Sequence, residues 1–409
     1  MEMINIRKHA SKIMGIKKYL RFLIKLIFSL IAQCICLPLH PICWVTNIRF
    51  VQFNCGGIGH LAGEFDCYIK EGILGLRPSY KTVIVINRKN VVNLHLLSYW
   101  KKYFFLVEGR FFVFLLSSLC RNKFTGYDVE KYVSCWINRA FVYPEIQKKY
   151  YGRPPVLSLT NFDHKRGWIE LQKLGVPKNA WFVCVHCREK GYALHRDEAS
   201  SVRNVNINNY FMAMQEIVDR GGWVVRIGDP TMKLIPMMKN VIDYAHLDIK
   251  SDWMDVFLSA SCKFFLGSNS GMALLPNVFG VRSIVANMAG PFSVILHYGP
   301  EDISIPKLLW SVKEKRYLSF KEILSSSLSN IFSDDQFMAN GIQAIENSPE
   351  DIKEVTVEML DALEGKFKYS EEDECLQAQF KSLMNPTNYS YGARSRVGKD
   401  FLRKYEHLL

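Results

Sequence analysis

The sequence predicts an α/β protein of two Rossmann-like domains facing each other across a cleft. A basic, apolar segment precedes them and a helical tail follows. Three observations predict it. Apolar runs alternate with helix-like stretches in βαβ order, first over residues 48–107 and again over 181–286. Each series opens on a strand-like run. Gly152-Arg-Pro-Pro155 and Gly175-Val-Pro177 break the pattern between the two series. The divisions read from this are 1–46 (membrane-associating), 47–175 (first Rossmann-like domain), 176–330 (second) and 331–409 (helical extension).

The chain has 409 residues, enough for two cores, and is 49% apolar and 22% charged, as globular proteins are. Its net charge of +13 fits anionic partners such as nucleotide diphosphates or an anionic membrane face. No zinc-finger spacing, RNA-recognition signature or basic helix with heptads is present, so nucleic acid is not the expected partner. Eleven cysteines at irregular spacing predict reduced thiols in a cytosolic compartment. Cys184-Val-His-Cys187 has a metal-like look, but in a strand its two thiols face opposite sides, which favours core packing.

The N-terminal segment carries Arg7, Lys8, Lys12, Lys17, Lys18, Arg21 and Lys25, then runs from Leu26 to Val45 with no formal charge apart from His40. Pro38 and Pro41 cut the apolar run short of a clean membrane span. The expected arrangement is a monotopic anchor, basic side chains at the headgroups and apolar ones below. A single span and a helix packed on the protein are the alternatives.

In the first half, Ile48–Asn54 is a predicted strand, Cys55–Leu61 a Gly-rich turn and Ala62–Lys70 a helix. Lys81–Asn87 follows as a strand, Val91–Lys102 as a helix and Tyr103–Val107 as a strand. Phe111–Cys120 is either a core helix or a second membrane-touching patch. In the second half the expected strands are Trp181–His186, Trp223–Ile227, Asn240–Tyr244, Lys263–Leu266 and Ser283–Ala286, the last clear one. Helices are expected over Asn206–Arg220, Ser251–Ala260 and 272–279, the last kinked by Pro276.

Ligands in such sheets bind beyond the carboxyl ends of the strands. Four constellations stand there. Gly267, Ser268, Asn269, Ser270 and Gly271 follow an apolar strand and open a helix, so backbone N–H groups and two hydroxyls converge where a phosphate could sit. An ordinary turn capped by Ser270 is the plainer reading. Arg188 stands past the end of Trp181–His186, where a guanidinium can chelate a diphosphate, or else pair with Glu189 or Asp229. Arg226, Gly228 and Asp229 end the next strand, Arg226 facing either the core layer or the cleft, and Tyr244, Ala245 and His246 lie in a loop of the kind that meets a nucleotide. A turn role for Asp229 and a local hydrogen bond for His246 remain open. Gly56, Gly57 and Gly59 bring backbone close to a ligand on the acceptor side. His60 behind them could take a proton from a hydroxyl or simply serve the helix start. The glycine spacing misses the dinucleotide fingerprint, because Gly63 arrives one residue late. No His-Glu-x-x-His, Asp-x-Asp or Walker motif occurs, so neither metal nor cofactor is expected, and cationic groups must offset any departing diphosphate.

Together the segments 185–192, Arg203-Asn204 with Tyr210, 220–233, 241–246, 250–257, 265–271 and the tail 393–405 resemble a family of bacterial surface-polysaccharide glycosyltransferases. The resemblance runs from about Phe53 to the C-terminus. It implies a GT-B-like fold and sugar transfer from an activated donor. His186-Cys-Arg188 is similar to the His-x-Arg of GDP-fucose-type transferases, where it meets the donor diphosphate. The acidic residue usual after that Arg is not matched. The Gly loop with His60 is similar to that of lipid-linked N-acetylglucosaminyltransferases, whose histidine faces the acceptor.

The expected function is therefore transfer of a sugar from a nucleotide-sugar donor to a lipid-linked or other glycan acceptor in polysaccharide or lipopolysaccharide assembly. The expected location is the cytoplasmic face of the bacterial inner membrane. Arg188 and His60 are the expected catalytic residues. The alternative is an inactive nucleotide-binding scaffold on the same fold.

Overall fold

The computed structural model describes residues 23, 26–27, 30–133, 142–191, 201–296 and 299–409. The β-branched and apolar runs of the first half form three parallel strands, β1 (Ile48–Val51), β2 (Lys81–Ile86) and β3 (Phe105–Glu108), in that order. The elements are shorter than expected because polar side chains close them. The Asn54 Oδ1 accepts the Gly56 N–H at 3.1 Å, so the chain past β1 turns rather than extends. Asn93 caps the next helix, accepting from Leu96 N–H at 2.7 Å, which starts it at Leu94 instead of Val91.

Phe111–Cys120 lies in helix Arg110–Arg121, whose Leu116 and Leu119 pack on Val85 of β2 and on Cys36. The other side of that helix leaves Phe111 exposed. Residues 30–36 and Leu39–Thr46 are helical and dock beside it, the Cys36 thiol donating to the Leu115 carbonyl at 3.3 Å. Ile35, Leu37, Trp44 and Val45 of this segment are exposed. Among the described residues no helix is long and apolar enough to cross a membrane. The basic residues from Arg7 to Arg21, and Lys25, lie outside the described residues, as does Tyr192.

The second half holds β4 (Phe182–His186), β5 (Trp223–Arg226), β6 (Val241–Ile242), β7 (Phe265–Ser268), β8 (Ser283–Met288) and β9 (Ile303–Pro306). Their spatial order is β6-β5-β4-β7-β8-β9, all parallel. This is the doubly wound 3-2-1-4-5-6 order, with its switch point between β4 and β7. A small antiparallel sheet follows, with β10 (Leu308–Ser311) between β11 (Arg316–Tyr317) and β12 (Ile342–Ile345).

Three expectations need correction. Ser283–Ala286, the last clear strand of the sequence, is followed by five more among the described residues. The tail is not wholly helical: Arg396–Val397 forms β13, which pairs in parallel with β9 and extends the large sheet. Its short, polar-flanked sequence carries no strand signal of its own, and the pairing is imposed by the β9 edge. Finally, β7 runs on through Gly267 and Ser268, so only Asn269–Gly271 form the turn.

Helix Pro349–Glu364 covers the sheet against helix Phe211–Asp219. It starts on a Ser348–Asp351 capping box with Pro349 at its first position and ends at Gly365 with φ 65°. One apolar core is continuous through both halves, from Val51 and Phe65 to Leu266 and Phe401.

Candidate functional site

The turn after β7 and the segment after β4 meet at the switch point. The Arg188 N–H donates to Ser268 Oγ at 2.8 Å, which ties the two strand tips together. The Arg188 side chain is partly exposed, and its Nε donates to Asn204 Oδ1 at 3.1 Å. Arg203 clamps the turn from outside, giving Nε and Nη2 to the Asn269 carbonyl at 3.2 and 2.9 Å. Lys307, buried beside them, donates to the Asn204 carbonyl at 2.9 Å, and burial lowers its affinity for a proton.

Within the turn the residues divide by task. Gly267 and Ser268 are buried strand residues, and Gly267 lies level with His186. The Asn269 side chain is occupied with the Ala289 carbonyl at 2.5 Å. Ser270 caps the following turn, accepting from Met272 N–H at 3.2 Å. The expected helix 272–279 is a single 3-10 turn, Gly271–Ala273, then a four-residue helix, Leu274–Asn277. Pro276 has no N–H to continue it, and Gly280, with φ 80°, ends the segment. A helix this short supplies little dipole, so its N-terminus by itself would add little to the binding of an anion.

The first domain reaches the same turn. A Cβ on Gly59 would lie 2.8 Å from the Gly271 Cα, so the two glycine segments touch backbone to backbone. Gly56 lies in the exposed bend after β1, and Gly57 leaves room for the His60 ring, a Cβ there falling 3.0 Å from its Cδ2. His60 opens a π-helical turn, His60–Glu64, and its Nδ1 is hydrogen-bonded to Glu64 Oε1. Burial pushes the Glu64 carboxyl above its usual range, and the His60 ring draws part of that back. With Nδ1 on the carboxyl, Nε2 is the nitrogen available to a ligand, and it makes no hydrogen bond among the described residues. The His60–Glu64 spacing, i to i+4, places the two side chains on one helix face and is legible in the sequence.

Of the groups assigned to a nucleotide, Arg226, Tyr244 and Ala245 are buried, while Gly228, Asp229 and His246 are partly exposed. Arg226 is 0% exposed. It bridges Asp243 at 3.0 Å and Glu189 at 3.0 Å. His246 Nδ1 pairs with Asp243 Oδ2 at 2.9 Å, and its Nε2 with the Met232 carbonyl at 2.9 Å. Gly228, at φ 154°, makes the sharp turn expected of it, and Asp229 Oδ1 accepts the Thr231 N–H at 2.9 Å as a turn residue. Tyr244 and Ala245 are buried, and burial pushes the Tyr244 phenol upward. Of the two orientations open to Arg226 in the sequence, the structure takes the one into the core, with Glu189 and Asp243 as its partners.

His186 is the other residue at this junction. Its Nδ1 lies 3.1 Å from the Ile227 carbonyl and its Nε2 3.1 Å from Ser270 Oγ. Burial, seconded by the Arg226 and Arg188 charges, pushes its pKa down to about 4, against the pull of the Ile227 carbonyl. Cys184 and Cys187 beside it are buried in the core.

A cavity of about 840 Å³ opens on the flank of the domain junction, lined by Leu94, His95, Thr160, Asp163, Arg166 and Trp253 among others. Neither Arg188 nor the β7 turn lines it. Among the described residues no group of three or more His, Cys, Asp or Glu side chains is placed to hold a metal ion.

No family model matches the chain, and no curated protein matches it. Among solved structures it is similar to the glycosyl transferase family 9 protein from Veillonella parvula DSM 2008. Identity is 12% and the TM-score 0.41, over 78% of this chain and 97% of that one. It is also similar to the E. coli ADP-heptose lps heptosyltransferase II, at 9% identity and a TM-score of 0.37, over 58% of this chain and 84% of that one.

Proposed function

We propose that the chain is a glycosyltransferase that takes a nucleotide-sugar donor at the switch point of the large sheet and passes the sugar to an acceptor on the first domain. One observation carries this reading. The backbone of Arg188, a partly exposed residue, is tied to the tip of β7 at Ser268, and the turn that follows touches the first-domain glycines at Gly59 and Gly271, with His60 next to that contact. Arg188 and the turn amides would hold the diphosphate, and His60 would face the acceptor.

The chemistry follows. His60 Nε2 takes the proton of an acceptor hydroxyl while Glu64, on Nδ1, steadies the ring. The hydroxyl oxygen attacks C1 of the donor sugar. The C1–O bond to the β-phosphate breaks, its electron pair leaving with the nucleoside diphosphate. Arg188 and the amides stabilise that charge as it develops. This sequence inverts the sugar. It invokes no divalent cation, in keeping with the lack of an Asp-x-Asp motif, and turnover undiminished by a chelator is the expected result.

The exposed apolar residues of segment 30–46, next to the basic residues 7–25, support a peripheral place on an anionic bilayer and hence a lipid-linked acceptor. The test is transfer from a panel of radiolabelled nucleotide sugars into membrane extract by the full chain in detergent. Label in the lipid or glycan fraction is the expected result. Saturable donor binding with neither transfer nor donor hydrolysis would replace this reading with an inactive scaffold.

A further inference from the structure

The hydroxyl of Ser270 stands in the turn proposed to hold the diphosphate, but its proton is already committed. The Ile227 carbonyl can only accept, so His186 Nδ1 carries the hydrogen. In a neutral ring Nε2 is then a bare lone pair, and Ser270 Oγ must donate to it. One Ser270 lone pair takes the Met272 N–H. What Ser270 has left is a single lone pair, an acceptor. An acceptor oxygen repels a phosphate and attracts a hydroxyl.

We infer that Ser270 reads a sugar hydroxyl of the donor rather than its phosphate, and that His186 is the positioning residue that makes it do so. This rests on the glycosyltransferase reading above. The residue that hands Ser270 its role comes from a different strand: His186 ends β4, and Ser270 lies two residues past β7. Both ends of the relay are fixed by backbone, Ile227 on one side and Met272 on the other. The low proton affinity of the half-buried ring keeps it in the neutral form at neutral pH. With the hydroxyl turned inward, the phosphate is left to Arg188 and the amides of the turn. A nucleoside diphosphate without its sugar therefore gains nothing from Ser270.

The experiment is calorimetric titration of the full chain with UDP, GDP and ADP and with UDP-glucose, GDP-mannose and ADP-glucose. The wild type is compared with Ser270→Ala, His186→Phe and His186→Gln. In Ser270→Ala, the pair that binds wild type keeps its nucleoside diphosphate affinity within about twofold and loses about three- to tenfold for the sugar form, the worth of one neutral hydrogen bond. In His186→Phe the freed hydroxyl turns to the phosphate, so the diphosphate binds more tightly and the preference for the sugar form shrinks. His186→Gln, whose amide oxygen can again accept from Ser270, restores the preference. A merely structural role would weaken both ligands alike and leave their ratio unmoved.

Equal loss of both ligands in Ser270→Ala, or an unchanged ratio in His186→Phe, overturns the inference while leaving the glycosyltransferase reading in place. If wild type binds none of the six, that reading falls and the inference falls with it.

Discussion

β4 and β5 are neighbours in one sheet, and each leads to an arginine at its carboxyl end, yet the two arginines have opposite fates. Arg226 is the last residue of β5 and pairs in register with Val185, one residue short of the end of β4. It still lies inside the sheet, fully buried between Asp243 and Glu189. Arg188 lies two residues beyond β4, past the last pairing with β7, and keeps part of its side chain in solvent. The charge is the same. What differs is two residues of position and the carboxylates that the adjoining loops supply. A cation at a strand tip stays partly open to solvent when it stands clear of the sheet, and becomes part of the fold when it does not.

The sharpest way to break that comparison is to remove each arginine. Arg226→Ala leaves two carboxylates without their buried partner and should cost about 3–5 kcal/mol in urea unfolding. Arg188→Ala should leave unfolding within about 1 kcal/mol while lowering turnover by about 10²–10³-fold, since the guanidinium acts on charge that forms in the transition state. A stable Arg226 variant, or an Arg188 variant with normal turnover, would erase the distinction.

The pH dependence of stability tests the junction between the two strand tips. His186 has a folded pKa of about 4 against 6.5 when unconstrained. Its contribution is fully present above pH 6.5. As pH falls from there towards 4, the unfolded chain takes up a proton that the folded ring refuses, and up to ~3 kcal/mol is lost. In His186→Gln the decline of unfolding free energy between pH 6.5 and 4 should be shallower. An unchanged slope would mean that the ring is not held neutral.

Gly59→Ala probes the contact between domains. A methyl group 2.8 Å from the Gly271 Cα cannot be accommodated without separating two backbones, so a loss of about 1–3 kcal/mol is expected. Full stability would show that the glycine segments do not touch in solution. The smallest effect is expected at Asp229. Asp229→Ala removes one turn hydrogen bond, about 0.5–1 kcal/mol, and should leave nucleotide affinity within twofold. A large loss of affinity would return Asp229 to the ligand.

The same contrast explains what could be read in advance. Strands were legible because buried parallel strands are continuous apolar runs, as in Phe182–His186 and Phe265–Leu266. The nearness of Arg188 to the β7 turn was legible too, because strand-end position follows from the βαβ pattern. Which of its two open orientations Arg226 takes was not, since its place in the core depends on Glu189, 37 residues earlier, and Asp243, 17 later, folding back over one side chain. β13 was invisible because two residues carry no periodicity and only the β9 edge gives them a partner. Arg203 was missed as a clamp because its partner carbonyl, on Asn269, is 66 residues away. Glu64, by contrast, is legible as the partner of His60, one helical turn further on the same face.

The most direct measurement is titration of the full chain with nucleoside diphosphates, wild type against Arg188→Ala, with folding monitored in both. The account expects saturable binding of one nucleoside diphosphate by wild type and an affinity at least about tenfold lower in the variant, at equal stability. Binding that is absent from wild type, or undisturbed in Arg188→Ala, would contradict it.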